Sequence, residues 1–468
     1  MPRRPTSIPG MLLHLARLDL ARRPRRWRVA GVCIAALGLA APMALRSPAP
    51  PAARPAAHRP ARTLLVAGGQ CVRSGAFCAS DLTCGRGDRC ADATGLSARL
   101  MASVRDDADA WISPTLTATA DGWALAFLGI EDERLDLWFA RLQGDGRRVG
   151  NVRRLTNADT VKVMPDLAAG AGGFALAYTE INEDAVITRL QRLGADGAAQ
   201  GGPVNLGGDG FNFGGRVAWN GREYAAAWYG ISAVTQMSAK LARYAPDGTR
   251  VGGDSTLHSR FAATGTLGLA FTGDAYGVAF NTFIPREERS ETLFLRAGAG
   301  GEASAPLKVA QRRERCGSAA LAWSGRNFGM VWEDELSAED DDTPLDRLAF
   351  AAVSPGRVDV PRRDLTQRNR FQVQPVMAFG GGVYALAWTT IGDDGLDVWL
   401  ARLDGEGKLL GAPLQVTRNS MGLLPSLAWN GREFGIAWTD VRGGGIDVWF
   451  ARYDAQGRRV GEEVRVSP

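Results

Sequence analysis

Histidine is almost missing from this chain. There are three in 468 residues: His14, His58 and His258. The first two lie in an N-terminal stretch of Arg, Pro and Ala, so the remainder holds one imidazole. A His-based triad or a histidine metal cage needs at least a second group beside it, and none is offered. Lysine is scarce as well, four of 55 basic residues. With the excess of Ala, Gly and Pro, that bias reads as GC-rich bacterial coding, and arginine counts alone identify no partner. No segment beyond residue 110 keeps a helical period.

Excess positive charge is confined to the N-terminus. The formal net charge is +5, but residues 1–63 carry twelve Arg against one Asp, so residues 64–468 carry −6. A mildly acidic body excludes nucleic-acid binding, which needs a clustered cationic face to neutralise phosphates. Arg22, Arg23, Arg25, Arg26 and Arg28 precede the uncharged run VAGVCIAALGLAAPMAL at residues 29–45. A basic region followed by an apolar run is the pattern of export. About 17 residues are at the short edge of a bilayer span, so residues 1–45 fit both a cleaved signal peptide and an uncleaved anchor. The rest is expected outside the cytoplasm, in the periplasm, on the cell surface or secreted, touching membrane only through this segment.

Residues 46–69 are Pro/Ala-rich and read as an extended linker. Residues 70–91 hold Cys71, Cys78, Cys84 and Cys90. Downstream of an export signal, four closely spaced cysteines predict a small disulfide knot, with three pairings open. Zinc is the rival, but the short CxxC spacing of zinc knuckles is lacking. The cluster resembles the Cys-rich tags of bacterial surface proteins. The RGD at residues 86–88 reads as a turn inside the knot.

The body is one motif written seven times. An aromatic recurs at Phe127, Tyr178, Trp228, Phe280, Trp332, Trp388 and Trp438, in steps of 51, 50, 52, 52, 56 and 50. A second aromatic stands four residues before each: Trp123, Phe174, Tyr224, Tyr276, Phe328, Tyr384 and Phe434. Nine residues before the anchor, Trp219, Phe271, Trp323, Phe379 and Trp429 mark the last five repeats. Thirteen before it stand Pro114, Pro165, Pro375 and Pro425. A period near 51 with fixed internal spacing is a repeat architecture.

The seventh repeat parses most clearly. Asn430–Gly431 in WNGRE predicts a type I′ hairpin turn. REFGIAWT alternates, placing Phe434, Ile436 and Trp438 on one face. IDVWFARYD gives a third strand, and AQGRR turns the chain into a fourth. Four strands per repeat predict an all-β, seven-bladed β-propeller over residues 98–468. The small Ala just before six of the seven anchors, with Val331 as the exception, suits tight packing of one blade on the next. Residues 98–105 could add a strand that clasps the ring.

The pieces VRRLTNADTVKVMPDLA (residues 152–168) and IDVWFARYDAQG (residues 446–457) resemble the WD40-like PD40 unit of TolB-type propellers. The resemblance implies a propeller with periplasmic, protein-binding roles. This chain departs in its longer unit and in having seven units where that propeller has six blades.

No catalytic set stands out. Cys316 reads as a small core residue and His258 as a strand-end surface residue. The SxDxGxxW box of propeller sialidases does not occur. Glu180, Glu333, Asp334 and Asp440 follow the second strand of their repeats, where solvated loop charges are expected. EDDDTPLD at residues 339–346 is a loop insertion without the alternating Asp and Gly of a calcium loop. No cofactor is expected, with Ca²⁺ at that loop as the one candidate. LDLWFAR, LDVWLAR and IDVWFAR recur in repeats one, six and seven, which become neighbours in a closed ring. Asp136, Asp397 and Asp447 with Arg141, Arg402 and Arg452 are therefore a candidate partner surface, against the alternative that they anchor adjacent strands. The expected function is a non-catalytic binding or scaffolding module of the cell envelope or secreted space, facing an envelope protein or polysaccharide. The alternative is a glycan hydrolase or lyase using acids at the channel mouth.

Overall fold

The computed structural model describes residues 110–468, except 132–133, 159, 183–184, 209–210, 234–235, 285–286, 288, 313–315, 335–346, 367–370, 393–394, 419 and 443–444. The leader, the linker, the cysteine cluster and the clasp at residues 98–105 lie outside them, as does the calcium candidate loop. All regular elements among the described residues are β-strands.

The seventh repeat shows how the sequence makes the unit. Its strands Met421–Trp429, Phe434–Arg442, Gly445–Tyr453 and Arg459–Arg465 pair antiparallel in chain order. Alternation along the second strand puts Phe434, Ile436 and Trp438 against Val398 and Leu400 of repeat six. The opposite face carries Ala437 and Gly435, against Trp123 of repeat one. A Cβ on Gly435 would stand 2.8 Å from the Trp123 ring, so only a small residue fits there. This is the packing expected from the Ala that precedes six of the seven anchors. Trp438 is fully buried, and truncating such a side chain to Ala typically costs about 3–5 kcal/mol.

The hairpin at Asn430–Gly431 differs from the expected type I′ turn. Trp429 pairs with Phe434, so the connection has four residues, and only Gly431 has a positive φ, of 95°. A type I′ turn needs positive φ at both central residues. Asn430 acts through its side chain instead. Its Oδ1 accepts from the backbone N–H groups of Arg432 (3.0 Å) and Glu433 (2.8 Å). Asn220 makes the same pair of bonds in repeat three.

The fold is an all-β propeller with four-stranded blades. The expected count of seven blades is not matched by the sheets: the strands form five hydrogen-bonded sheets, three of four strands, one of seven and one of eight. Each fusion has a local cause. Arg250–Phe271 is one 22-residue strand; its first half pairs with Gln236–Tyr244 and its second with Ala275–Ile284. Residues 255–264 contain no Gly, Pro, Asn or Asp, so nothing turns the chain between repeats three and four. The eight-stranded sheet joins the last repeat to the first through a single parallel bridge, Ala110 to Ile446.

Among the described residues seven apolar clusters lie between consecutive repeats. One of them packs Ala437, Val448 and Phe450 of repeat seven onto Trp111, Trp123 and Phe127 of repeat one. The ends of the repeat array therefore meet through side chains as well as through that bridge.

Candidate functional site

The first strands of the repeats surround a channel of about 310 Å³, each repeat contributing four lining residues. A bulge shapes each of these strands near its start. In repeats one, two, six and seven the ladder shifts between Ile112 and Thr115, Val163 and Asp166, Val373 and Val376, and Leu423 and Ser426. A residue with left-handed φ sits at each of these bulges: Ser113 (56°), Met164 (56°), Gln374 (57°) and Leu424 (56°). Each precedes one of the repeated prolines. Non-glycine residues hold this conformation only where the surroundings fix it.

Side chains from the preceding repeat help fix it. The N–H of Ser113 donates to Thr439 Oγ1 (3.0 Å), that of Leu424 to Thr389 Oγ1 (3.1 Å), and that of Gln374 to Glu333 Oε1 (2.6 Å). In repeat three, where glycine takes the bulge, Gly214 donates to Thr179 Oγ1 (3.1 Å). All four acceptors occupy the position just after the anchor aromatic. A second row of links runs deeper in the channel. Leu167 N–H donates to Thr115 Oγ1 (3.2 Å), Val217 N–H to Asp166 Oδ2 (2.7 Å) and Leu116 N–H to Ser426 Oγ (2.9 Å).

Among the described residues, Asp166 and Arg216 are the only charged ones lining the channel. They pair at 3.1 Å, and Arg216 Nε also donates to Leu267 O at 3.1 Å, reaching repeat four. Burial pushes the Asp166 carboxyl above its ordinary range, opposed by the Arg216 charge and the Val217 N–H.

The acids expected as solvated loop charges are placed otherwise. Glu180, Glu333, Asp334 and Asp440 lie on strands, and Asp334 and Asp440 are fully buried. Asp440 accepts from the Trp438 indole N–H (2.7 Å), from Ser420 Oγ (3.1 Å) and from both Nε and Nη2 of Arg442. Asp334 does the same for Trp332 (3.3 Å), with Arg312 and Arg362 as its cations. In repeat six the uncharged Thr390 takes the indole N–H of Trp388 at 3.0 Å. The shared task is therefore to satisfy a buried anchor indole, and the arginines neutralise the carboxylate used for it. Glu180 holds Arg189 (3.0 Å). Glu333 accepts the N–H groups of Ser318 (3.1 Å) and Gln374, and burial pushes its carboxyl up to about 7.

The three aspartates of the repeated LDLW-type strand share one arrangement. Thr156, Thr417 and Ser467, just past the fourth strand, donate to Asp136 (2.7 Å), Asp397 (3.2 Å) and Asp447 (2.7 Å). The same hydroxyls accept the N–H of the next strand-three residue, Leu137, Val398 and Val448. Asp136 is also bonded by Arg154 and by the buried Lys162 (3.5 Å). Arg141, Arg402 and Arg452 stand at the other end of the strand. Each donates to a backbone carbonyl in the next repeat: Ala195 (3.2 Å), Ala455 (3.3 Å) and Gly144 (3.2 Å). The last of these passes from repeat seven to repeat one. Aspartates and arginines are thus about 17 Å apart, five residues of extended strand, at opposite mouths.

Cys316 is buried at the start of its strand, as expected. His258 is not at a strand end. It lies within Arg250–Phe271, stacked on Phe261 (5.4 Å) and beside Phe280 (5.9 Å), and burial depresses its pKa against the pull of Glu291. Among the described residues no group of three or more His, Cys, Asp or Glu is placed to hold a metal ion.

Sequence reasoning missed the Thr and Ser acceptors and the Asp166–Arg216 pair. The repeated proline marks the channel strand, and Thr115, Asp166 and Ser426 stand one residue past it, but nothing in that local spacing distinguishes a polar residue that bonds the next repeat from one that meets solvent.

No family model matches the chain, and no curated protein matches it. Among solved structures it is similar to the β-propeller domain of the trilobed protease from Pyrococcus furiosus, at 10% identity and TM-score 0.46, over 77% of this chain and 96% of that one. It is similar to an alpha-L-arabinanase of Penicillium chrysogenum at 11% identity and TM-score 0.45, over 63% of this chain and 94% of that one. An acylaminoacyl peptidase is similar at 10% identity and TM-score 0.47, over 77% of this chain. The chain spans about half of that peptidase (52%), and no residue role is carried over from these proteins.

Proposed function

We propose that this protein is an exported, non-catalytic binding or scaffolding propeller of the cell envelope or secreted space. Its partner is an envelope protein or polysaccharide met by the mouth from which the connections between repeats emerge. Residues 1–45 deliver it or anchor it, and Cys71, Cys78, Cys84 and Cys90 form a disulfide knot between linker and propeller. We further read the seven repeats as seven blades of one closed ring. Seven inter-repeat clusters and seven equal contributions to the channel support that count despite the two fused sheets.

One observation carries the non-catalytic reading. Among the described residues lining the channel the one carboxylate is Asp166, and it is held by Arg216 and by the Val217 N–H. Glycoside hydrolysis generally needs two carboxyl groups facing the scissile bond, about 5–10 Å apart. Of the four acids that follow the anchor aromatics, Asp334, Asp440 and Glu180 are likewise bonded to arginine, and Glu333 is taken up by the backbone N–H groups of Ser318 and Gln374.

The test is a pull-down from envelope extract with the exported full chain as bait, run beside a turnover screen on glycans and esters. A saturable partner without turnover is expected. Turnover abolished by changing a mouth carboxylate would replace this reading with the hydrolase. Thiol titration of the exported chain should find the four N-terminal cysteines blocked. An experimental structure with another number of repeats around the axis would overturn the seven-blade count.

A further inference from the structure

The third strands of repeats one, six and seven each set an aspartate and a tryptophan two residues apart, and so on one face. The pairs are Asp136 and Trp138, Asp397 and Trp399, and Asp447 and Trp449. In repeats one and seven the protein supplies this face with arginine. Arg154 bonds Asp136 through Nε (3.1 Å) and Nη2, and its guanidinium carbon stands 5.8 Å from the centre of the Trp138 ring. One guanidinium therefore serves both groups. In repeat seven two arginines divide the task. Arg465 pairs with Asp447 at 2.9 Å, and Arg442 lies 3.9 Å over the Trp449 ring.

Repeat six lacks both cations. The ladder sets Arg154 opposite Trp138 and Arg465 opposite Trp449, but Gln415 opposite Trp399. Arg442 ends the second strand of repeat seven, and Gly392 holds that register in repeat six. Asp397 accepts from the Thr417 hydroxyl at 3.2 Å, and among the described residues no arginine or lysine is bonded to it. None stands over Trp399 either. Arg418, beside Thr417, is exposed and bonded to neither. Asp397 and Trp399 are both partly exposed, whereas Asp136 and Trp138 are buried. Trp399 also packs on the apolar cluster between repeats five and six, which holds its ring in place.

We infer that Asp397 and Trp399 form a binding site for a guanidinium group, seated as Arg154 is seated in repeat one. The carboxylate offers two oxygens to a planar fork of donors, and the indole face attracts the same cation. An ammonium is a point charge and matches neither the fork nor the flat ring as well. The site lies at the start of the third strand, at the mouth proposed for the envelope partner. Its occupant is an arginine side chain of that partner, and only this assignment of the source rests on the partner reading.

The test is calorimetric titration of the full chain with N-acetylargininamide, and with N-acetylcitrullinamide as the uncharged control of the same shape. Saturable binding of the arginine compound at roughly 10 mM or tighter is expected, with the citrulline compound at least tenfold weaker. Gln415→Arg restores an internal cation. Asp397→Asn removes the charge and keeps an oxygen for the Thr417 hydroxyl. Each is expected to weaken binding at least tenfold while keeping the β circular dichroism spectrum. Absence of saturable binding to the parent would overturn the inference, as would equal affinity for the two compounds. So would full affinity in the folded Gln415→Arg chain. Methylguanidinium distinguishes the sources. Binding weaker than the argininamide assigns the site to a peptide side chain, and equal binding overturns that source in favour of a free organic cation. These titrations use no partner, so a pull-down that captures nothing would remove the envelope-partner reading and leave the site standing. A partner held equally by the parent and Gln415→Arg chains would keep that reading and overturn the partner's arginine as the occupant.

Discussion

The backbone N–H of Ser113 donates to Thr439 Oγ1 at 3.0 Å, across 326 residues of sequence. This bond joins the first repeat to the last. It also meets a part-buried donor at a left-handed bulge. Thr439→Val keeps the side-chain shape and removes the acceptor. Leaving a buried N–H unpaired costs about 1–3 kcal/mol. Denaturant unfolding should show a loss of that size, with Thr439→Ser near the parent. A Val variant as stable as the parent would show that the closure does not depend on this bond.

Asp440 is the buried partner of the Trp438 indole and of Arg442. Removing one member of a buried ion pair typically costs about 3–5 kcal/mol, because the other charge is left uncompensated. Asp440→Ala should cost less than that, about 1–3 kcal/mol by thermal or chemical unfolding, because Arg442 keeps Glu463 as a partner while the buried Trp438 indole N–H loses its acceptor. Asp440→Thr should lose less, since Thr390 already serves the equivalent indole in repeat six without a charge. Equal losses in the two variants would place the stabilisation in the ion pair and not in the indole bond.

Glu333 gives the chain a pH-dependent contribution with a definite sign. Burial raises its pKa from 4.5 to about 7. Between those values the folded chain binds a proton that the unfolded chain has released. Stability from this group is therefore complete below about 4.5 and falls as pH rises towards 7, by roughly 3 kcal/mol in all. Glu333→Gln should flatten that part of the stability–pH curve. An unchanged slope between parent and variant would assign the dependence to other groups.

Asp136 compensates the buried Lys162 as well as Arg154. Asp136→Ala should destabilise by about 3–5 kcal/mol. Adding Lys162→Met to it should recover part of the loss, because the buried ammonium is then removed too. A double variant no better than the single one would show that the coupling lies in the Thr156 and Arg154 bonds. Partner binding measured on the folded double variant would separate a strand-anchoring role from a recognition role for this aspartate.

Much of the fold was legible. Alternation along REFGIAWT predicts that Phe434, Ile436 and Trp438 share one face, because a strand has only two faces; which neighbouring repeat each face meets came from the packing. The turns were partly legible. Asn430–Gly431 marks the bend correctly, but the sequence does not distinguish a positive φ at Asn from a side-chain cap. The acids after the anchors were misread for a different reason. Asp334 and Asp440 look like loop charges in sequence; only the buried indole beside them and the arginines from other strands make burial tolerable.

By itself the sequence determined the period, the four strands of each repeat and the faces they bury, because these follow from local alternation and turn chemistry within about fifty residues. The tertiary structure decided whether each polar group is a structural bond or an available site. Thr439, Asp166 and Arg452 act on backbone or charge in another repeat. A partner fifty or three hundred residues away leaves no mark in the local spacing, and only the stacking of the blades brings the two together.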